Sequence, residues 1–152
     1  MSVEQRLEEL GHSLPPSPKP MGAYVPATIA GRLLFISGML PRRQGDPAYT
    51  GRVGADISIE DGATACELAA LNALAVAKDA AGSLDKLRVV RLAVHVACEP
   101  GFAAHSAVAD GASDLFKAIF QERGVHARLV FGAVSLPGDM PVELECIFEI
   151  VD

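Results

Sequence analysis

The feature that most constrains the fold is a long apolar helix predicted in the middle of the chain. Ser58-Ile59-Glu60-Asp61 has the Ser-x-x-acid form of a helix start, and Gly82 is a typical helix end. Alanine and leucine dominate the residues in between, where the only charged side chains after position 61 are Glu67, Lys78 and Asp79. A helix with so few charges is covered by neighbours, or lined by alanine, over most of its circumference. Other elements must therefore pack around it.

Segments with the composition of strands lie on both sides of this helix. Two of them flank Gly31 and predict a β-hairpin, and the Gly- and Pro-rich stretch that follows indicates a long loop with room for one short strand. Strands separated by long helices imply an α+β fold, in which one sheet is layered on two helices. The predicted strands are 24–30, 32–37, 87–97, 127–136 and 142–151, and the predicted helices are 2–10, 61–81 and 102–122.

The last predicted strand alternates in character. One face is entirely apolar and predicts the core side of the sheet. The other face mixes three glutamates with Ile147 and Val151. A face in contact with solvent alone would not need these two apolar residues, so we expect a partner subunit to cover it. The apolar face consists of Val142, Leu144, Cys146, Phe148 and Ile150.

The length of the chain, 152 residues, fits one domain with a substantial core. We therefore expect residues 1–152 to form one domain, with residues 1–21 as an N-terminal helix and a Pro-rich lead-in. The stretch 15–20, Pro-Pro-Ser-Pro-Lys-Pro, predicts a stiff extended connector rather than a linker between globular domains.

The charge balance limits the partners that this chain can have. The formal net charge is −6, which disfavours nucleic acid as a partner because nucleic-acid affinity rests mainly on contacts between phosphates and Lys or Arg. No apolar run reaches the roughly 18–20 residues of a membrane span, so we expect no membrane partner. Half of the residues are nevertheless hydrophobic, which favours burial at subunit interfaces.

The cysteines and histidines predict neither a metal site nor a cofactor. Cys66, Cys98 and Cys146 are isolated and odd in number, which is typical of a reducing, cytoplasmic compartment. His95 and Cys98 are three residues apart on a predicted strand, so they face opposite sides of the sheet and do not converge on a metal. The glycines show no phosphate-binding or dinucleotide-binding pattern.

Arg128 is the most informative polar residue. It stands at the mouth of a predicted buried strand, and arginine is almost never fully buried without a partner. The next strand in sequence carries carboxylates at alternate positions, Glu143 and Glu145. A cation on one strand and an anion on the next could make a small polarised pocket; an interface salt bridge is the alternative role for Arg128. His126 precedes Arg128 by two positions and is predicted to share its strand face.

Several segments in order resemble the Rid family, the reactive intermediate deaminases, also called YjgF-like proteins. The resemblance covers nearly the whole chain, and the N-terminal helix and Pro-rich lead-in make this chain similar to a longer bacterial subgroup. The segments that carry it are Gly22-Ala23-Tyr24, Leu34-Phe35-Ile36-Ser37-Gly38-Met39-Leu40-Pro41, Asn72, Ala127-Arg128 with Leu136-Pro137 after it, and Pro141-Val142-Glu143-Leu144-Glu145.

The resemblance implies a fold like that of trimeric chorismate mutase, with a sheet on two helices. Three subunits would close their sheets into a central β-barrel, and the clefts between subunits would hold a small carboxylate metabolite. It further implies that Arg128 grips the carboxylate of a small 2-imino or enamino acid. Glu143 would position or activate the attacking water, and Tyr24, Ser37 and Gly38 would shape the cleft.

The implied reaction is hydrolysis of an imine to a 2-oxo acid and ammonia. The chain departs from the family pattern after the arginine, where Leu129 and Val130 replace a small polar residue and a cysteine. Two alternatives remain open at this stage: a protein that binds a small carboxylate without turning it over, and an endoribonuclease or translation inhibitor. For Glu143, an ion pair with solvent or with another subunit is the alternative to catalysis.

Overall fold

A computed structural model describes residues 1–152, and its elements follow the predicted order. The helices begin and end within three residues of the predicted bounds. Strand β5 matches its prediction to the residue, whereas the predicted loop after β2 contains a small hairpin instead of one strand. The helices are α1 (Val3–Glu9), α2 (Ile59–Ala81) and α3 (His105–Phe120), and the strands are β1 (Ala27–Ala30), β2 (Leu33–Met39), β3 (Arg42–Arg43), β4 (Asp46–Pro47), β5 (Leu87–Ala97), β6 (Ala127–Ala133) and β7 (Val142–Ile150).

Five strands form one sheet in the order β1-β2-β7-β5-β6, while β3 and β4 pair only with each other. Strands β5 and β6 run parallel, as expected for two strands joined by a helix, and the other pairs are antiparallel. Strand β6 is therefore an edge strand, and β5 separates it from β7. The strands that carry Arg128 and Glu143 are consecutive in sequence but are not neighbours in the sheet.

Helices α2 and α3 cover one face of the sheet. They approach each other closely because small residues meet at the crossing: a Cβ added to Gly111 of α3 would lie only 2.0 Å from the carbonyl oxygen of Ala63 in α2. Six of the thirteen buried residues of α2 are alanines, in line with its composition. The apolar side of β7, including Leu144 and Phe148, is buried beneath these helices.

The N-terminal helix and lead-in pack along the helical layer. Ser2 caps α1 and forms a capping box with Gln5, while Val3 and Leu7 are buried in the core. The Ser17 hydroxyl bonds to Asp79 at the end of α2. The chain then continues past Lys19 to the loop before β1. This route brings the lead-in to the β2 side of the sheet.

The other face of the sheet, which we call the open face, is not covered within the chain. Large apolar side chains are partly exposed on it, among them Phe131 at 44% and Leu129 at 47%. Ile147 lies between the acidic side chains of β7, as the alternation predicted. None of the three helices is long and apolar enough to cross a membrane.

Candidate active site

A β-bulge in β2 opens a cleft at one end of the open face. Ile36 pairs with Cys146 and Met39 pairs with Leu144, so Ser37 and Gly38 together face the single residue Glu145. An extra residue of this kind bends its strand and interrupts the ladder of hydrogen bonds. The bulge thus places the Ser-Gly pair, predicted to shape a cleft, at the wall of a real cavity.

Glu143 of β7 lies directly against Gly38. A Cβ added to Gly38 would lie 2.9 Å from Oε2 of Glu143 and 3.1 Å from its carboxyl carbon. Contacts under 3.0 Å are essentially never seen for real Cβ atoms. Only glycine lets the carboxylate occupy this position, so the two residues are matched to each other.

The Glu143 carboxyl has an altered acidity. Burial is the largest cause and raises its pKa above the ordinary value of 4.5; the electrostatic interaction with His95 lowers the pKa, and the nearby Glu145 carboxylate raises it. His95 is the cross-strand partner of Glu143 on β5, and its ring packs against Phe131 with centroids 4.4 Å apart. A carboxyl whose pKa is moved towards neutrality is suited to exchange protons with a substrate or a water.

Tyr24 and Ser37 fix the rim of the cleft. The Ser37 hydroxyl donates to the carbonyl oxygen of Val25 at 2.7 Å, and the Ser37 N–H donates to the carbonyl of Pro26 at 2.9 Å. These bonds hold the segment before β1 against the bulge. The Tyr24 hydroxyl accepts from the N–H of Met21 at 3.2 Å, and half of the tyrosine remains exposed to the cleft.

The cleft has an enclosed part and an open part that share Tyr24, Gly38, Pro137 and Glu143. The enclosed part has a volume of about 300 Å³ and extends beneath the lead-in. The open part, about 580 Å³, spreads over the open face towards His95 and Glu145. One chain therefore brings together four of the five predicted site residues: Tyr24, Ser37, Gly38 and Glu143.

Arg128, the fifth, lies elsewhere in the chain. Its Nη1 donates to Oδ1 of Asp110 at 2.7 Å and to the hydroxyl of Ser113 at 3.1 Å, both in α3. Its side chain is 23% exposed and sits on the helical side of the edge strand β6. Glu143 faces the opposite side of the sheet. The polarised pocket predicted between Arg128 and Glu143 is therefore not formed within one chain.

His126 shares the face of Arg128, as its spacing predicted. Its Nδ1 lies 2.6 Å from the carbonyl oxygen of Gly124, so this nitrogen carries the proton and donates. Its Nε2 lies 2.9 Å from the hydroxyl oxygen of Ser113, within hydrogen-bond distance. The Ser113 hydroxyl thus connects Arg128 to His126 and satisfies both polar groups at the edge of the core.

A contact between Cys98 and His105 was not foreseen from the sequence. Cys98 Sγ lies 3.7 Å from His105 Nε2, and Gly132 leaves room for both side chains. His95 is on the other face of the sheet, so His95 and Cys98 do not converge, as predicted. The thiols of Cys66 and Cys146 are fully buried; burial raises the pKa of Cys66 to about 12 and raises that of Cys146 further, so both are inert small hydrophobic groups.

A comparison with known families finds one match along nearly the full chain. The family described as "YjgF/chorismate mutase-like, putative endoribonuclease" matches residues 4–150. The chain belongs to this family. The YjgF-like assignment accounts for the five-stranded sheet on two helices and for the order of the segments that carry the resemblance.

Individual proteins are similar to this chain over nearly its full length. Protein TCP17 of Trypanosoma cruzi is 37% identical over 150 residues, which cover 97% of this chain and 94% of that protein. The crystal structure of Atu1372 from Agrobacterium tumefaciens, a protein of unknown function, is 43% identical and superposes with a TM-score of 0.91 over 97% of this chain and 92% of that one. A "putative endoribonuclease" from Shewanella oneidensis is 34% identical, with a TM-score of 0.95 over 99% of this chain and 100% of that one.

The same fold extends to more distant proteins. TdcF of E. coli, solved with bound serine, is 19% identical and has a TM-score of 0.60 over 91% of this chain and 94% of that one. At this identity the likeness concerns the fold alone.

Proposed function

We propose that this YjgF-like protein is an imine and enamine deaminase, which hydrolyses small 2-imino acids to 2-oxo acids and ammonia. The observation that carries the proposal is the Glu143 carboxyl, held in a cleft against the main chain of Gly38 with its pKa raised by burial. Family membership and the resemblance to Rid proteins support the same reaction. The reaction requires only that a carboxylate be held, a water placed and protons moved.

In this proposal Glu143 acts first as a general base and then as a general acid. The carboxylate takes a proton from water as the water oxygen bonds to C2 of the protonated imine, and the electron pair of the C=N bond moves to nitrogen. The carboxyl returns that proton to the amine nitrogen. The hydroxyl on C2 then gives its proton to solvent water, the electron pair of the O–H bond forms the C=O bond as the C–N bond breaks, and ammonia and the 2-oxo acid leave. One water is consumed and the carboxylate is regenerated.

Arg128 is proposed to hold the substrate carboxylate through a bidentate pair of hydrogen bonds. Because Arg128 and Glu143 face opposite sides of the sheet within a chain, they can serve one substrate only if two chains contribute. The edge strand β6 of one copy would then lie next to the Glu143 cleft of another. The ion pair with Asp110 would orient the guanidinium or would open when the substrate binds.

The assembly that we propose is a homotrimer with its open faces turned inward as a β-barrel. The support is the partly exposed apolar surface of the open face, which includes Phe35, Leu129 and Phe131. An apolar face of this kind in a protein is typical of a subunit interface. We also propose residues 1–152 as one domain and the cytoplasm as its location, the latter because its three cysteines are free.

A second candidate function is binding of a small metabolite without turnover. It is favoured by the bound serine in E. coli TdcF, a protein of the same fold. Endoribonuclease activity, which names given to family members suggest, has less support because the net charge of −6 disfavours a phosphate backbone.

The test is release of 2-oxo acid and ammonia from freshly generated 2-iminopropionate. We expect the wild type to exceed the buffer rate and Glu143→Gln to fall close to it. Glu149→Gln is the matched control, since Glu149 is on the same face of β7 but pairs with Arg88 away from the cleft. Wild-type activity equal to buffer, together with binding of the 2-oxo acid, would replace the deaminase proposal with the binding one.

A further inference from the structure

The Glu143 cleft has a cationic side that the deaminase proposal does not use. Arg42 and Lys19 line its enclosed part together with Tyr24, Gly38 and Glu143. We propose that Arg42, assisted by Lys19, binds a second anionic group of the substrate, so that the preferred substrates are 2-imino acids with a distal carboxylate. This inference rests on the proposed function and specifies the substrate class of that site.

The first support is that Arg42 has no anionic partner in the chain. The residue is partly buried, and its Nη2 makes one long, exposed contact of 3.5 Å to the main-chain carbonyl of Lys19. None of the ion pairs in the structure includes Arg42 or Lys19. By contrast, Nη1 of Arg128 forms an ion pair with Asp110. A guanidinium with free donors beside a cavity is suited to bind a carboxylate.

The second support is that the position of Arg42 is built into the core. Asn72 of α2 is 3% exposed, and its Nδ2 donates to the carbonyl of Leu40 at 2.9 Å and to that of Arg42 at 3.0 Å. A buried amide thus ties the backbone of Arg42 to the longest helix. Side chains anchored in this way lose less freedom when they bind a ligand.

The third support comes from the lead-in. The stretch around Pro18, Lys19 and Pro20 forms one wall of the enclosed part of the cleft. Prolines fix the backbone there, so the ammonium of Lys19 is carried by a stiff segment. The chain as a whole is acidic, yet the two charged residues that line this part of the cleft besides Glu143, Lys19 and Arg42, are both positive. The cleft is therefore dipolar, with Glu143 on one side and two cations on the other.

The size of the cavity agrees with this substrate class. The enclosed part, about 300 Å³, is far larger than the roughly 10–15 Å³ that one water needs, so a molecule of about ten non-hydrogen atoms fits in it. The imine of a five-carbon dicarboxylic amino acid has that number of atoms. Arg128 would hold the carboxylate next to the imine carbon, and Arg42 the one at the far end.

The test compares two imines of equal chain length, 2-iminoglutarate and 2-iminopentanoate, generated in place by amino-acid oxidases. We expect wild-type kcat/KM to favour 2-iminoglutarate. Arg42→Gln should lower kcat/KM for 2-iminoglutarate by about 10- to 100-fold, the loss expected for a hydrogen bond to a charged group, and change that for 2-iminopentanoate by less than about twofold. Arg43→Gln, on the neighbouring residue of the same hairpin, is the matched control and should change neither value.

A binding measurement separates this inference from the deaminase proposal. Calorimetry with 2-oxoglutarate and 2-oxopentanoate should show tighter binding of the dicarboxylate in the wild type and no preference in Arg42→Gln. If neither imine is hydrolysed but this preference is present, the deaminase proposal fails and the role of Arg42 stands. If both imines are hydrolysed equally and Arg42→Gln has no effect on either assay, the role of Arg42 is overturned and the deaminase proposal stands.

Discussion

The carboxylate of Glu143 lies so close to Gly38, between β2 and β7, that a methyl group on this glycine would be 2.9 Å from Oε2 of Glu143. The bulge at Ser37 and Gly38 creates this contact. It makes the position of the proposed catalytic base depend on a residue with no side chain. Exchange of the glycine is therefore expected to act on Glu143 before it acts on the fold.

Gly38→Ala should lower kcat for imine hydrolysis by about 100-fold, because a displacement of about 1 Å is enough to misplace a catalytic group. Thermal unfolding should change little, since the added methyl group meets the movable end of a side chain. Adding Glu143→Asp to Gly38→Ala makes room for the methyl group and should recover part of the lost rate. Full activity in Gly38→Ala alone would show that the contact does not position the base.

Glu143→Gln should be at least as stable as the wild type near neutral pH. The folded-state pKa of Glu143 is raised above 4.5, so the folded chain holds this proton more tightly than the unfolded chain. Wild-type stability is thus lost as pH rises from the unfolded pKa through the folded one, and glutamine, which never ionises, escapes that loss. We expect the Tm of Glu143→Gln to equal that of the wild type at pH 4 and to exceed it by at most about 3 °C at pH 7.5. A lower Tm at pH 7.5 would indicate that Glu143 has a structural role.

Glu145→Gln should move the acid limb of the pH–rate profile to lower pH. The Glu145 carboxylate raises the pKa of Glu143, and its removal makes Glu143 easier to ionise. The base form of Glu143 would then persist to lower pH, which kcat/KM measured between pH 4 and 8 would reveal. Glu149→Gln is the control and should leave the limb in place. If the acid limb does not move in Glu145→Gln, the limb does not report the titration of Glu143.

Arg128→Ala and Asp110→Ala break the same ion pair but should differ in activity. Since the pair is partly exposed, either change should cost only about 1 kcal/mol of unfolding free energy. Only Arg128→Ala removes the group proposed to hold the substrate, so it should abolish measurable turnover, whereas Asp110→Ala should keep most of it. Equal activities in the two variants would mean that Arg128 serves the fold alone.

Much of the fold could be predicted from local signals. The ends of α2 follow from Ser58 and Gly82, and the buried side of β7 follows from strict alternation. The sheet order could not be predicted in this way. Only a short turn separates the predicted strands 127–136 and 142–151, which favours direct pairing, but β6 instead pairs in parallel with β5, the strand before helix α3. Pairing partners depend on packing between distant segments, which periodicity does not record.

The site shows the same limit. The residue types alone identified Arg128 and Glu143 as candidates. The face of the sheet on which each side chain lies depends on the register of its strand, and a shift of one residue in register reverses that face. Arg42 lies in the Gly- and Pro-rich stretch that the sequence predicts only as a long loop. Its link to the cleft depends on the buried amide of Asn72 and on the path of the lead-in, and both involve contacts between residues 20 or more positions apart.

The most direct test of a site shared between two chains is to mix two inactive variants. Arg128→Ala and Glu143→Gln are each unfolded, combined in equal amounts and refolded together, with the wild type treated alike as the reference. In a ring of identical subunits about a quarter of the clefts would then combine an intact arginine from one chain with an intact glutamate from the next. We predict imine hydrolysis near that fraction of the wild-type rate, although each variant alone is inactive. A mixture no more active than the separate variants, beside an active wild type, would contradict a site built by two chains.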